Sequence, residues 1–313
     1  MDLSMYEQYL DKLESKFSSY FNNAVGKKEI IEFVDQVDMF SVSNDETLNI
    51  LKKSLFEILT HLDYLDGNRI SYELKILLNK MKTIENGKSA IIRYGKPDDS
   101  SYRLIDYIKC TTFVNSIHNA LKDGYDTLLF IDDGVNSGHQ IISIFQEFMG
   151  MNTYKRKTRE NHVKELSSGE KEKLKVVRII IGFIYFNSPV ERFILSELQK
   201  LGLFNVQIVY NHEFQPKLTN RHGLFDNQTQ ADTFIHFLEK IGLLIQQSNK
   251  SISSTKYKER WTKKRIRRSA LGYNNAQQLV VYEYNIPTYT ITILWQHGYY
   301  SGKAWKGLFE RND

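Results

Sequence analysis

The first 82 residues place apolar side chains at helical spacing. Leu3, Leu10 and Phe17 belong to a stripe whose members are three or four residues apart, and similar stripes follow as far as Met81. Such stripes are typical of helices with one buried face. Residues 1–82 are therefore predicted to form a helical N-terminal region.

From residue 83 to 215 the pattern changes to short apolar runs separated by amphipathic segments. Runs at Ala90–Tyr94, Thr127–Phe130, Val176–Tyr185 and Val206–Tyr210 predict buried strands. Strand, helix and strand joined by short links indicate a right-handed parallel crossover. We expect residues 83–215 to form an α/β core with a doubly wound, mostly parallel sheet.

Residues 216–313 exceed what such a core needs. Ala231–Gln247 predicts an amphipathic helix, and Lys256–Arg268 is strongly basic. Leu279–Tyr284 and Thr290–Trp295 then predict two strands. This part of the chain is interpreted as a C-terminal extension that contains β-structure.

Composition narrows the class of protein. Of 313 residues, 41% are apolar and 25% are charged, which is typical of a globular chain. Cys110 is the single cysteine, so no internal disulfide forms, which fits a reducing cytoplasm. The start of the chain lacks a signal-peptide pattern, and no apolar run approaches the ~18 residues of a membrane span. We expect a cytoplasmic protein without a membrane partner.

The chemistry concentrates around two adjacent acids. Asp132 and Asp133 are expected at the carboxyl end of a buried strand, where open α/β sheets bind ligands. Ser137 and Gly138 stand where the next helix begins, and a helix N-terminus offers N–H groups to a phosphate. One segment thus supplies carboxylates for hydroxyls or a metal beside an anion site, which suits a sugar phosphate.

The segment from Thr127 to Gly138 resembles the PRPP-binding signature of type I phosphoribosyltransferases: four apolar residues, two acids, three variable residues, Ser or Thr, and Gly. The resemblance implies that Asp132 and Asp133 are the catalytic acids, which hold the ribose hydroxyls and, indirectly, a Mg²⁺ bound with PRPP or pyrophosphate. The substrate-binding residues that it implies are Asn136, Ser137, Gly138, His139, Gln140, Arg93 and Lys96. Lys96 is equally well interpreted as a surface lysine in a turn.

Three departures from the family pattern affect catalysis. Asn136 stands where purine-salvage members have a general base, and a neutral amide accepts no proton. Gln140 replaces a frequent Thr. Residues 95–126, predicted to be mostly helical, leave little room for the hood hairpin that closes over the substrate in active members. An enzyme and a non-catalytic nucleotide-sensing or nucleic-acid-binding module are therefore both retained.

The tail carries a second resemblance. Asn285–Pro287, Leu294–Trp295 and Trp305–Arg311 are similar to a bacterial group of phosphoribosyltransferase-like proteins with a C-terminal extension. That group occurs in conflict and anti-phage systems, some beside the reverse transcriptases of retrons. It implies an anti-phage effector and a reverse-transcriptase complex as partner. The alternative is that Trp295 and Trp305 pack a hydrophobic core.

The basic stretch suggests a further partner. Its eight Lys and Arg residues surround Tyr257 and Trp261, a pattern that binds nucleic acid or an acidic partner. The residues predicted to make these contacts are Lys263, Lys264, Arg267 and Arg268. A solvated helix face and a role in the protein's own pocket are the alternatives, and a homo-oligomer also stays open.

His61, Asp63 and Asp66 are close in sequence and include metal-ligating types. The ligand set is incomplete, so a solvated helix end is the favoured interpretation over a metal cluster.

Overall fold

The computed structural model describes residues 3–20, 25–40, 45–95, 99–108, 113–151, 164–214, 218, 223–252, 269–300 and 302–311. In these residues the helices are α1 (Leu3–Phe17), α2 (Lys27–Phe40), α3 (Asp45–His61), α4 (Gly67–Lys82), α5 (Ser100–Leu104), α6 (Ile117–Lys122), α7 (His139–Phe148), α8 (Ser168–Val176), α9 (Glu191–Lys200) and α10 (Gln228–Ile252). The strands are β1 (Asp63–Leu65), β2 (Ser89–Ile92), β3 (Phe113–Val114), β4 (Thr127–Val135), β5 (Arg178–Phe186), β6 (Val206–Glu213), β7 (Val280–Tyr282), β8 (Gly298–Tyr300) and β9 (Lys303–Trp305).

The chain divides into two compact units, each with its own hydrophobic core. Residues 67–214 form one, which we call the sheet unit, and residues 1–66 with 215–313 form the other, the helical unit. The expected linear division into three parts does not coincide with this grouping. The N-terminal helices share a core with the C-terminal extension, and α4 packs against the sheet.

The sheet unit is built on five parallel strands in the order β3-β2-β4-β5-β6. The expected mostly parallel sheet is confirmed. β4 and β5 are buried along almost their whole length, because helices cover both faces. The order reverses direction at β2: the chain first adds β3 on one side and then β4 on the other.

Helix α4 lies close against one face of the sheet. A side chain on Gly182 of β5 would meet the sulfur of Met81 at 2.7 Å and Leu77 at 3.2 Å, so the glycine permits the close approach. Ile141, Phe145 and Ile194, from α7 and α9, belong to the core on the opposite side. The sheet is therefore sandwiched between helices.

The helical unit has aromatic side chains at its centre. Trp305 is buried, and its ring lies 5.5 Å from that of Phe33 and 6.1 Å from that of Phe237. Its indole nitrogen donates to the carbonyl oxygen of Ile293 at 2.9 Å. Trp295 is partly buried against the same core. The packing interpretation of these two tryptophans is confirmed.

The strands of the tail differ from those that the sequence predicts. β7 pairs in parallel with β1, but the predicted strand at Thr290–Trp295 is wrong. Thr292–Leu294 form a 3₁₀ helix, in which the amide of Trp295 donates to the carbonyl oxygen of Thr292 at 3.2 Å. Local hydrogen bonds thus replace those of a sheet. Across the described ranges, no helix has the length and apolar character needed to span a bilayer.

Candidate functional site

The two strands that carry the predicted site residues are neighbours at the point where the strand order reverses. β2 leads into Arg93 and Tyr94, β4 contains Asp132 and Asp133, and the two strands pair in parallel. The carboxyl ends of β2 and β4 therefore meet at one edge of the sheet. In open α/β sheets this topological switch point is where ligands bind.

Asp132 and Asp133 lie inside β4, before its end, and both are buried, with 6% and 7% of their surface exposed. The hydroxyl of Ser100 donates to Oδ1 of Asp132 at 2.8 Å, and the backbone amide of Asp133 donates to the same atom at 2.9 Å. The first residue of α5 thereby positions the acid. The sequence predicts the pair at the carboxyl end of a strand that begins with the run Thr127–Phe130, and β4 continues past the pair to Val135.

Burial dominates the electrostatics of the acidic pair. It raises the pKa of Asp132 to about 6, against the hydrogen bonds from Ser100 and from the amide of Asp133, which lower it. Burial and then the charge of Asp132 raise the pKa of Asp133 well above its ordinary value. Near neutral pH the pair therefore carries fewer than two full negative charges. Hydroxyl donors or a cation would stabilise the ionised form.

The loop after β4 is fixed by Asn187, which follows β5. Its side-chain nitrogen donates to the backbone oxygen of Asn136 at 3.0 Å and to the side-chain oxygen of Asn136 at 3.1 Å. Its backbone amide donates to the carbonyl oxygen of Val135 at 3.0 Å. The amide oxygen of Asn136 thus serves loop geometry, which the sequence did not indicate.

Gly138 ends the loop in the left-handed conformation, with φ +71°, immediately before α7. A side chain here would overlap Ile194 of α9. Backbone conformation and packing therefore both require glycine, whether or not a phosphate approaches. Ser137 is half-buried beside it, so α7 begins at an edge that carries small side chains.

The remaining predicted ligand contacts differ in their surroundings. His139 and Gln140 are exposed on the first turn of α7, and the ring of His139 contacts that of Phe193, with centroids 5.4 Å apart. Arg93 forms an ion pair with Asp106 at 2.6 Å, and its guanidinium lies 4.4 Å from the centre of the Tyr102 ring. Lys96, Lys263, Lys264, Arg267 and Arg268 lie outside the described residues.

A second polar cluster on the sheet's carboxyl edge was missed by the sequence analysis. The carboxylate of Glu73, on α4, accepts from Nε2 of His212 at 2.9 Å and from the amide nitrogen of Asn211 at 2.9 Å. His212 lies beyond the predicted end of its strand at Tyr210. Polar residues directly after a buried strand were the signal that identified Asp132, and the same signal was present here.

Metal binding depends on few protein donors. Among the residues that the structure describes, no three His, Cys, Asp or Glu side chains come together as a metal-binding group, and His61, Asp63 and Asp66 do not form one. The acidic pair fits a more modest role, because Mg²⁺ often uses one or two carboxylates together with ligand oxygens and water.

Comparison with known proteins gives one family. The family model described as PRTase-CE matches residues 9–311, which is nearly the whole chain. Neither the curated proteins nor the solved structures include a significant match to this sequence.

Proposed function

From the premise that the chain belongs to the PRTase-CE family, phosphoribosyltransferase-like proteins with a C-terminal extension, we propose that the sheet unit binds PRPP or another ribose 5-phosphate nucleotide. The family match and the parallel sheet support a phosphoribosyltransferase-like protein. The identity of the ligand and the reaction that it undergoes are our proposal.

The observation that carries the proposal is the buried pair Asp132 and Asp133 at the topological switch point, on the strand whose following loop leads into the N-terminus of α7. Burying two adjacent carboxyl groups disfavours their ionisation, as their raised pKa values show. Ligand hydroxyls that donate to both carboxylates offset this cost. Vicinal ribose hydroxyls have the number and spacing of donors for such a pair.

The anionic ends of the ligand are assigned to the surrounding loops. The 5′-phosphate lies, in this proposal, at Ser137 and the first N–H groups of α7, which no side chain of Gly138 caps. Arg93 and Lys96 serve the pyrophosphate. Arg93 must then exchange its ion pair with Asp106 for the ligand, or share its donors between the two.

Asp132 and Asp133 are also the residues that would hold Mg²⁺, through ribose hydroxyls or water. Bound with pyrophosphate, the ion would neutralise charge on the leaving group. The two carboxylates would favour positive charge that develops on the sugar during substitution at the anomeric carbon.

The second candidate is a non-catalytic nucleotide-sensing, nucleic-acid-binding or partner-binding module on the same fold. The specific observation in its favour is Asn136, whose amide oxygen is held by Asn187 and which cannot act as a base. Binding with no pyrophosphate release is the result that this alternative predicts.

We also propose the biological setting that the tail motifs suggest, an effector in a bacterial anti-phage system of the retron type. Phage plaque counts on cells that express the chain with its neighbouring genes test it. Replacing Asp132 and Asp133 by Asn should abolish any protection. Equal protection by both forms would contradict a role for this site in defence.

Calorimetric titration with PRPP, with and without Mg²⁺, tests the ligand. The variant Asp132→Asn/Asp133→Asn should lose roughly tenfold or more in affinity, because a hydrogen bond to a charged group contributes about 1.5–3 kcal/mol. The control Asp123→Asn/Glu172→Gln removes two exposed carboxylates and should bind normally. No binding by the unchanged protein, or equal binding by the acidic-pair variant, would refute the proposed site.

A further inference from the structure

His212 stands on the same edge of the sheet as the acidic pair, and its ring is held in one orientation. Its Nε2 lies 2.9 Å from Oε2 of Glu73, whose side chain is 6% exposed. The same oxygen accepts from Asn211, so it is an acceptor, and Nε2 of His212 is the donor. In a neutral imidazole Nδ1 is then the proton-accepting atom.

The register connects this histidine with the site. Gly134 of β4 pairs with Tyr185 of β5, which pairs with His212 of β6. Neighbouring strands are about 4.8 Å apart, so the backbones of Gly134 and His212 are separated by about 10 Å. That separation is comparable with the size of a phosphoribosyl group. Gly134 directly follows Asp133.

Accessibility and neighbours also suit contact with a ligand. The side chain of His212 is 42% exposed, whereas the Glu73 carboxylate that orients it is buried. The imidazole lies against the Tyr185 ring, with centroids 5.2 Å apart, and Tyr185 stacks on Phe214 at 5.9 Å. A buried carboxylate and an oriented, partly exposed imidazole form the arrangement of a general base.

Substitution at the anomeric carbon needs such a group, because Asn136 does not accept a proton. We propose that His212 is the proton acceptor of this site and that Glu73 is its positioning residue. This inference rests on the proposed function. His212 would act as the general base, a role that the amide of Asn136 does not serve.

An N–H or O–H nucleophile, a heterocyclic base or water, uses its lone pair to form the bond to ribose C1. The bond from C1 to the pyrophosphate oxygen breaks, and its electron pair leaves with pyrophosphate. The proton that the nucleophile loses passes to Nδ1 of His212, and the Glu73 carboxylate stabilises the resulting imidazolium.

The test measures pyrophosphate release from Mg²⁺–PRPP by the full chain, with water alone and with a panel of nucleobases, alongside calorimetric PRPP affinity. His212→Asn should slow release by about 100-fold or more, the usual contribution of a general base, and leave affinity within about twofold. The matched control is His118→Asn, since His118 also pairs with a glutamate, Glu170, at 2.9 Å but on helices α6 and α8. It should release pyrophosphate at the normal rate.

Each other outcome is decisive. Normal release by His212→Asn overturns the inference. PRPP binding by the unchanged protein with no release under any condition also overturns it, while the proposed ligand stands. Absence of PRPP binding overturns both the proposed ligand and the role of His212. For Glu73→Gln, ¹⁵N chemical shifts of the His212 ring should show a mixture of tautomers in place of the single Nε2–H form, and an unchanged tautomer would remove the positioning role.

Discussion

Glu170 and the pair Asp132–Asp133 are carboxylates of one unit held in opposite surroundings. Glu170 accepts hydrogen bonds from the hydroxyl and amide of Ser167 in a capping box at the start of α8, and it pairs with His118. These donors lower its pKa to about 2. Burial instead raises the pKa of Asp132 to about 6, and burial together with the charge of Asp132 raises the pKa of Asp133 well above its ordinary value.

The difference separates carboxylates that stabilise the fold from those that weaken it. A depressed pKa means that folding favours the ionised Glu170, which therefore contributes stability above its unfolded pKa. Raised values mean that the folded sheet unit resists ionising the acidic pair. Ionising the acidic pair at the switch point therefore lowers the free energy of unfolding, and a bound ligand can offset this loss. Such perturbed groups are typical of functional sites.

The largest expected effect is the contribution of the acidic pair to the folding stability of the sheet unit. Asp132 is protonated in both states below pH ~3.8; as pH rises toward 6 the unfolded chain loses its proton first, so folded stability falls. Asp132→Asn/Asp133→Asn removes this loss and should stabilise the sheet unit at pH 8 by on the order of 3 kcal/mol, with little difference at pH 4.

Denaturation followed by far-UV circular dichroism at both pH values measures the difference. Tryptophan fluorescence is an internal control, because all three tryptophans of the sequence, Trp261, Trp295 and Trp305, lie outside residues 67–214 and should report little change. If the variant is less stable than the unchanged protein at pH 8, or if its free energy of unfolding changes equally at both pH values, ionisation of the pair does not destabilise the fold.

A smaller effect in the opposite direction is expected at Glu170. Glu170→Gln should destabilise the sheet unit by about 1 kcal/mol at pH 7, because the capping interactions weaken at a partly exposed site. The loss should shrink as pH falls from about 4.5 toward 2, where Glu170 is protonated in the unchanged protein too. Glu172→Gln on the same helix, which leaves the cap intact, should change stability less; equal losses would show that the cap is unimportant.

Sequence patterns located the core of the sheet because its strands are buried on both faces. The runs at β4 and β5 admit few other structures. The assignment of α4 to the N-terminal region followed chain order, whereas the close approach of its Leu77 and Met81 to Gly182 of β5 places it on the sheet. Residues 95–126, which are expected to be mostly helical, contain in their described part α5, a 3₁₀ turn at Ile105–Tyr107, β3 and α6.

The site was predictable only where its residues are adjacent in sequence. Asp132, Asp133 and Ser137 lie in one segment, so a strand–loop–helix pattern was enough to identify them. Ser100 and Glu73 reach the same edge from distant segments, and short sequence windows carry no signal for such contacts. The pKa of the pair is likewise a property of burial, which composition and spacing do not specify.

The smallest effect on the sheet unit is expected from changes in the basic stretch Lys256–Arg268, which lies outside the described residues. Changing Lys263, Lys264, Arg267 and Arg268 to Ser should leave PRPP affinity and the stability of the sheet unit unchanged. It should flatten the salt dependence of single-stranded nucleic-acid binding, whose slope is roughly −0.7 per phosphate contact. Stacking on Tyr257 or Trp261 would remain as a salt-insensitive part. A fall in PRPP affinity would instead assign the stretch to the pocket, and no change in either titration would leave a solvated surface.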